Sequence, residues 1–209
     1  MKKLSLLCLL VLLIGVVALV GCKKEAPLGS EENPIVWSFV PSGDTEQISA
    51  GASDVAEMIY DKTGLYVETN DATKYAWVIE ALSSDPPSAH MASLATFAYV
   101  MAADRGVAEA ELVAVRFGTP FYNGQIIART DSGISKVEDL EGKSFARPDP
   151  FSTSGWVIPM LTMRAAGIDP ERDLSEIVDA GGHTAVASAV YNGDVDAGAT
   201  YVDARANIE

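Results

Sequence analysis

The sequence has few cysteines, histidines and basic residues, and each shortage argues against a structural feature or a kind of partner. Its two cysteines, Cys8 and Cys22, both lie in the first 22 residues, so we expect no disulfide in the folded domain and a stability that rests on an apolar core. The two histidines lack a ligand spacing such as His-x-x-x-His. We therefore predict no metal and no cofactor.

Basic residues are outnumbered by acidic ones. The chain has 15 lysines and arginines against 29 aspartates and glutamates, for a formal net charge of -14. This balance argues against nucleic acid or an anionic membrane surface as a partner. A small anion remains a suitable ligand, because local donors and helix dipoles decide its affinity, whereas net charge mainly sets solubility and long-range approach.

The first residues have the pattern of an export signal. Two lysines precede an apolar run from Leu4 to Val20, which is short for a helix that must cross about 30 Å of hydrocarbon. The run ends in Leu19-Val20-Gly21-Cys22, which resembles the lipobox of bacterial lipoproteins. We predict that residues 1–21 are a signal peptide and that Cys22 carries a lipid; the alternative is an uncleaved anchor helix. Both place the remaining chain outside the cytoplasm.

A polar segment separates this signal from the folded part. Residues 22–33 lack apolar periodicity and predict a flexible, lipidated tether. From Pro34 onward, apolar strand-like runs alternate with segments of helical period, which indicates an α/β fold. The first unit is predicted as a strand at Ile35–Val40, a helix from about Glu46 to Asp61 and a strand at Leu65–Thr69.

The middle of the chain predicts a division into two domains. Lys74–Leu82 has helical spacing, and the alanine-rich residues 89–103 predict the entry into another helix. Strands are predicted at Ala110–Phe117 and Gln125–Ala128, on either side of the breaker Gly118-Thr119-Pro120. We interpret this breaker as a hinge between a first lobe, 34–121, and a second lobe, 122–209, although a hairpin is an alternative.

The second half continues the alternation of strands and helices. The predicted elements, in chain order, are a short helix at Ile134–Leu140, a strand at Lys143–Ala146, a helix at Trp156–Ala166, a strand at Ile177–Val178, a helix at His183–Tyr191 and a strand at Ala197–Val202. Pro159 would kink the helix unless that helix begins late.

Three adjacent hydroxyl residues precede one of these helices. Ser152, Thr153 and Ser154 stand where backbone amides lack partners and the helix dipole is positive, which suits an oxyanion. Gly155 would allow a tetrahedral anion close to the backbone. The alternative is ordinary capping of the helix, which needs only one hydroxyl.

Four further residues are candidates for the same site. His183 opens a helix and Asp203 follows a strand, the places where ligands of open α/β sheets bind. Tyr75 and Tyr122 offer a phenol donor and a flat apolar face. The alternatives are a solvent-facing histidine, a turn aspartate or partner of Arg205, and tyrosines that pack in the core with the hydroxyl at the surface.

The order of these motifs resembles the phosphate, phosphite and phosphonate-binding proteins of ABC importers. The segments that carry the resemblance are Tyr75-Ala-Trp-Val-Ile-Glu-Ala-Leu, Phe121-Tyr122-Asn123-Gly124, Ser152-Thr153-Ser154-Gly155-Trp156, Gly182-His183-Thr184-Ala185-Val186 and Asp203. The resemblance implies a type II periplasmic-binding fold with two lobes, each a central sheet flanked by helices. Such proteins usually continue for roughly another hundred residues, so the first lobe is expected to be incomplete.

The resemblance also implies roles for the candidate residues. Ser152, Thr153, Ser154 and His183 would bind the phosphorus oxyanion, Tyr75 and Tyr122 would close the site, and Asp203 would contact an amino group of the ligand. A permease and its ATPase would be the partners of a monomeric, membrane-anchored protein that is not an enzyme. Two alternatives are a lipid-anchored hydrolase that uses Ser154, His183 and Asp203, and a lipoprotein that senses the same anion.

Overall fold

The computed structural model describes residues 25–43, 45–115, 118–202 and 204–208, and these form two α/β units. The first lobe contains three strands and three helices: β1 (Ile35–Phe39), α1 (Thr45–Thr63), β2 (Val67–Asp71), α2 (Tyr75–Ser83), β3 (Met91–Ser93) and α3 (Thr96–Asp104). Each strand is followed by a helix, as the alternating pattern predicts. Within the described residues, no helix has the length and apolarity needed to cross a membrane.

The first sheet is parallel throughout, with the order β2-β1-β3. Trp37 of β1 pairs with Thr69 on one side and with Met91 on the other. Helical connections return the chain to the same end after each strand, which produces the parallel pairing. The carboxyl ends of the three strands therefore lie at one edge of the sheet.

The second lobe contains four strands. Its elements are β4 (Gly124–Ala128), a 3₁₀ turn (Val137–Leu140), β5 (Ser144–Arg147), a π-helical turn (Thr153–Val157), α4 (Ile158–Ala165), α5 (Pro170–Asp173), β6 (Glu176–Asp179), α6 (His183–Asn192), β7 (Ala197–Tyr201) and a 3₁₀ turn (Ala204–Asn207). The strand order is β4-β7-β5-β6, and β4 runs antiparallel to β7 while the other pairs are parallel.

Apolar side chains cover both faces of the second sheet. Successive residues of β5 illustrate this, because Phe145 packs with Trp156 and Met163 on one face while Ala146 packs with Val186 on the other. Such burial on both faces is typical of parallel strands. The first lobe has its own core around α2 and α3, and Phe151 of the second lobe packs against that core.

Three predictions about local structure were wrong. Residues 110–115 form no strand, and Leu112 is 95% exposed, because an apolar run becomes a strand only where a neighbouring strand pairs with it and no described strand does so. In the alanine-rich segment 89–103 the predicted entry into a helix is observed as α3, but the prediction missed β3, whose residues pair with the free edge of β1.

The third correction concerns the predicted tether. The carbonyl of Gly29 accepts the amide of Tyr66 at 2.9 Å, and Ser30 forms a bridge with Asn33. These residues are therefore part of the first lobe rather than a free linker. Residues 1–24, which include the predicted signal peptide and Cys22, lie outside the described residues.

Candidate anion-binding site

The hydroxyl cluster lies on a π-helical turn that connects β5 to α4. The amides of Trp156 and Val157 both donate to the carbonyl of Ser152, at 2.9 and 3.0 Å, and this sharing widens the turn. Pro159 lies in the first turn of α4, where its missing N–H costs nothing. The helix thus begins late, as the position of the proline required.

Ser152 is buried at the start of this turn. Its Oγ accepts the amide of Gly155 at 3.2 Å, so Ser152 is the N-cap of the turn, as the alternative of ordinary capping predicts. The same Oγ lies 3.3 Å from Nε2 of His183, so Ser152 is more than a cap. The amides of Thr153 and Ser154 donate to no carbonyl within the described residues, which leaves two donors at the start of the turn.

Gly155 serves the packing of the turn. A Cβ at this position would overlap Cγ and Cδ of Pro148 and would lie 2.9 Å from Ser152 Oγ. Only glycine leaves room for this contact, which fixes the turn against the end of β5. The contact gives a structural reason for glycine at this position, and the approach of an anion to its backbone stays a prediction.

Thr153 faces the first lobe. Its Oγ1 accepts the amide of Phe97, in the first turn of α3, at 2.8 Å. The ring of Phe97 also stacks on Phe151, with 6.1 Å between centroids. The middle hydroxyl of the cluster therefore joins the two lobes beside Ser152 and Ser154.

His183 is 3% exposed, so the alternative of a solvent-facing histidine is wrong. Its Nδ1 lies 2.9 Å from Thr200 Oγ1 and accepts the amide of Tyr201 at 3.2 Å. Burial lowers the pKa of His183 from 6.5 to about 4, so the imidazole is neutral at pH 7. Because a backbone amide only donates, we assign the ring proton to Nε2, which faces Ser152.

Tyr75 brings the first lobe to the same place. It is fully buried, and no hydrogen bond reaches its hydroxyl within the described residues. Burial raises the pKa of this phenol, and the nearby hydroxyl of Ser152 opposes that rise. The tyrosine thus remains protonated, with an unused donor beside Ser152. The alternative of a core tyrosine with its hydroxyl at the surface is wrong.

The remaining candidates are Tyr122, Asp203 and Ser154. Tyr122 is 56% exposed and so is not part of the buried group, but it lies close enough to Tyr75 to contribute to the raised pKa of that phenol. Asp203 lies outside the described residues. Ser154 is buried and packs closely against Gly124 of β4. A Cβ added to Gly124 would lie 2.8 Å from the carbonyl oxygen of Ser154. The structure therefore brings together Ser152, His183 and Tyr75.

Comparison with known proteins identifies the family. The profile of the family described as "ABC transporter, phosphonate, periplasmic substrate-binding protein" matches residues 37–209. The chain belongs to this family. It is 32% identical over 190 residues to the phosphate-import protein PhnD of Mycolicibacterium smegmatis, and this alignment covers 85% of the chain and 59% of that relative. The chain thus spans less than two thirds of the relative's length.

Solved structures agree on the fold of this family. A binding protein component of an ABC phosphonate transporter from Pseudomonas aeruginosa has a TM-score of 0.72 at 22% identity, with 88% of this chain and 60% of that chain covered. PhnD1 from Prochlorococcus marinus, solved with methylphosphonate, has a TM-score of 0.71 at 16% identity, with 83% and 65% covered. The two-lobed periplasmic-binding fold predicted from the resemblance is confirmed.

The hydrolase alternative is not supported. The proteins of this family are substrate-binding components of transporters, not enzymes. The geometry also opposes a triad, because Nε2 of His183 faces Ser152 rather than Ser154 and carries the proton that a base would need to lack. Nδ1 is occupied by Thr200 and Tyr201, where a triad would need a carboxylate.

Two residues of the site were missed by sequence reasoning. Asp149 is not among the predicted site residues, yet its Oδ2 accepts the amide of Tyr75 at 3.2 Å and its Oδ1 accepts the amide of Phe151 at 2.8 Å. Its place just after β5, between two prolines, was a usable signal. Thr200 resembles any other strand residue, and nothing in the sequence distinguishes it.

Proposed function

We propose that this chain is the extracytoplasmic substrate-binding component of an ABC importer, and that it captures a small phosphorus oxyanion such as phosphonate, phosphite or phosphate. The observation that carries the proposal is the buried hydroxyl of Tyr75, which lacks a hydrogen bond within the described residues and lies beside Ser152. A buried phenol without a hydrogen-bond partner destabilises the fold, because it has given up its hydrogen bonds to water without replacement. An oxyanion at this point would restore that bond.

The donors around this hydroxyl suit an anion. Ser152 and the Nε2–H of His183 meet at 3.3 Å, and the amides of Thr153 and Ser154 open the turn beside them. Side-chain donors and a positive helix end together stabilise a bound oxyanion without requiring a net positive charge. This explains how a chain with a net charge of -14 could hold an anion.

Capture would proceed by closure of the two lobes, 34–121 and 122–209, with residues 29–33 added to the first. The bonds from Tyr75 to Asp149 and from Phe97 to Thr153 support this view, because each joins the lobes beside the proposed site. A permease and its ATPase would receive the anion from a monomeric binding protein. No covalent bond is made or broken in this cycle.

Ser152→Ala is expected to weaken binding of the anion by about 1–3 kcal/mol, because a hydrogen bond to a charged ligand is lost. Isothermal titration calorimetry with phosphite, methylphosphonate and phosphate measures this change. Ser53→Ala is the matched control, since the hydroxyl of Ser53 is exposed on α1 and donates to the carbonyl of Ser49 within its own helix. Tight binding of an unrelated solute, with no response to any phosphorus oxyanion, would contradict the proposal.

We propose further that Cys22 is lipidated and anchors the protein to the membrane, facing the periplasm or the cell exterior. The support is the apolar run followed by Leu19-Val20-Gly21-Cys22. Cells that express the chain should incorporate labelled palmitate into it, and Cys22→Ala should abolish the label. Equal labelling of both proteins would contradict lipidation at this residue.

A further inference from the structure

Thr200 is fully buried behind His183. It lies in β7, and its Oγ1 is 2.9 Å from Nδ1 of His183. The amide of the next residue, Tyr201, reaches the same nitrogen at 3.2 Å. Two groups from one strand therefore converge on the side of the imidazole that faces away from Ser152.

The amide decides the direction of these hydrogen bonds. A backbone N–H only donates, so Nδ1 must be the unprotonated nitrogen of the ring. The hydroxyl of Thr200 then also donates to Nδ1, and the ring proton resides on Nε2. With this proton arrangement, Nε2 is a donor toward Ser152 at 3.3 Å.

The same reasoning fixes the proton of Ser152. Its Oγ receives the Nε2–H of His183 and the amide of Gly155, which occupy both of its acceptor sites. The Ser152 hydrogen must therefore be donated elsewhere. One such group is the hydroxyl of Tyr75, which lacks a hydrogen bond within the described residues and is close enough to Ser152 for that hydroxyl to oppose the rise in its pKa.

We infer that Thr200 is a positioning residue, which together with the Tyr201 amide holds His183 as the Nε2–H tautomer and thereby makes Ser152 a donor to the ligand. The inference rests on the proposed function for the nature of the ligand, but not for the state of the histidine. Ser152 then offers the ligand a donor and no free acceptor. This favours a charged oxygen, which accepts the stronger hydrogen bond.

The experiment uses Thr200→Val, which keeps the branched shape without the hydroxyl, and Thr200→Ser, which restores the hydroxyl. Nitrogen-15 NMR of the imidazoles reports which nitrogen of His183 carries the proton, and His90 serves as an internal reference because its Nδ1 also accepts an amide, that of Val36. We expect a protonated Nε2 in the wild type. Thr200→Val should shift the Nδ1 resonance and weaken phosphite binding about three- to tenfold, and Thr200→Ser should restore both.

The possible outcomes separate this inference from the proposed function. A wild-type protein with the proton on Nδ1 overturns the inference, as does a Thr200→Val protein whose Nδ1 resonance and affinity equal those of the wild type. A lower affinity that Thr200→Ser fails to restore also overturns it, because the effect would then follow from packing. If no phosphorus oxyanion binds the wild type, the proposed function fails while the resonances still decide the tautomer.

Discussion

Gly155→Ala is expected to destabilise the protein by about 3 kcal/mol, the effect of forcing a methyl group into a filled space. The new Cβ would overlap the ring of Pro148, whose backbone is rigid, and would press on Oγ of Ser152. The turn would have to move away from β5 and would carry Ser152 away from His183. Folded protein that remains should therefore bind the oxyanion more weakly than the wild type.

Gly51→Ala is the matched control for this prediction. Gly51 lies within α1, and no atom lies within 4 Å of the position that a Cβ would take. Alanine is a better helix former than glycine, so this variant should be as stable as the wild type or up to about 1 kcal/mol more stable. Urea unfolding measures both variants. A Gly155→Ala protein that unfolds at the wild-type urea concentration would show that the contact with Pro148 is not tight.

The helices and most of the strands could be predicted because their apolar periods are long and end at clear breakers. The helix predicted from about Glu46 to Asp61 is observed at Thr45–Thr63, and the strand predicted at Ile35–Val40 is observed at Ile35–Phe39. β3 could not be predicted in this way, since a three-residue strand carries almost no period of its own. It forms because β1 offers a free edge, which is a property of the sheet rather than of the segment.

The residue types of the candidate site could be predicted, but the hydrogen bonds between them could not. Hydroxyl residues before a helix and a histidine after glycines predict an anion site by their residue types. The sequence contains no sign that Ser152, rather than Ser154, would meet the histidine, because that choice depends on the π-helical turn. The π-helical turn itself depends on the packing of Gly155 against Pro148, which lies seven residues earlier in the chain. Short-range patterns do not reveal such contacts.

Acidification is the second change with a large expected effect, and it acts through His183. In the unfolded chain this histidine has a pKa near 6.5, whereas burial lowers the pKa to about 4 in the folded protein. Between these values the unfolded chain binds a proton that the folded protein does not. Protonation therefore favours unfolding, so stability falls as the pH decreases from about 6.5 to about 4 and is fully present above that window.

The expected loss over this window is about 3 kcal/mol, from roughly 1.4 kcal/mol for each unit of difference between the two pKa values. Aspartates whose pKa values are lowered in the fold, Asp139, Asp173 and Asp196, also lose stabilising contacts in acid, but they do so below their ordinary value of 3.8. The two effects therefore occupy different ranges of pH.

His183→Gln removes the titrating group and keeps an N–H donor on the side chain. Urea unfolding at several pH values between 7 and 4 should show a flatter dependence for this variant than for the wild type, even if the variant is less stable throughout. Parallel curves would mean that other groups cause the acid sensitivity. A second ring proton on Nδ1 would face the Tyr201 amide, which can only donate, so the hydrogen bond that fixes the orientation of the imidazole toward Ser152 also opposes its charging.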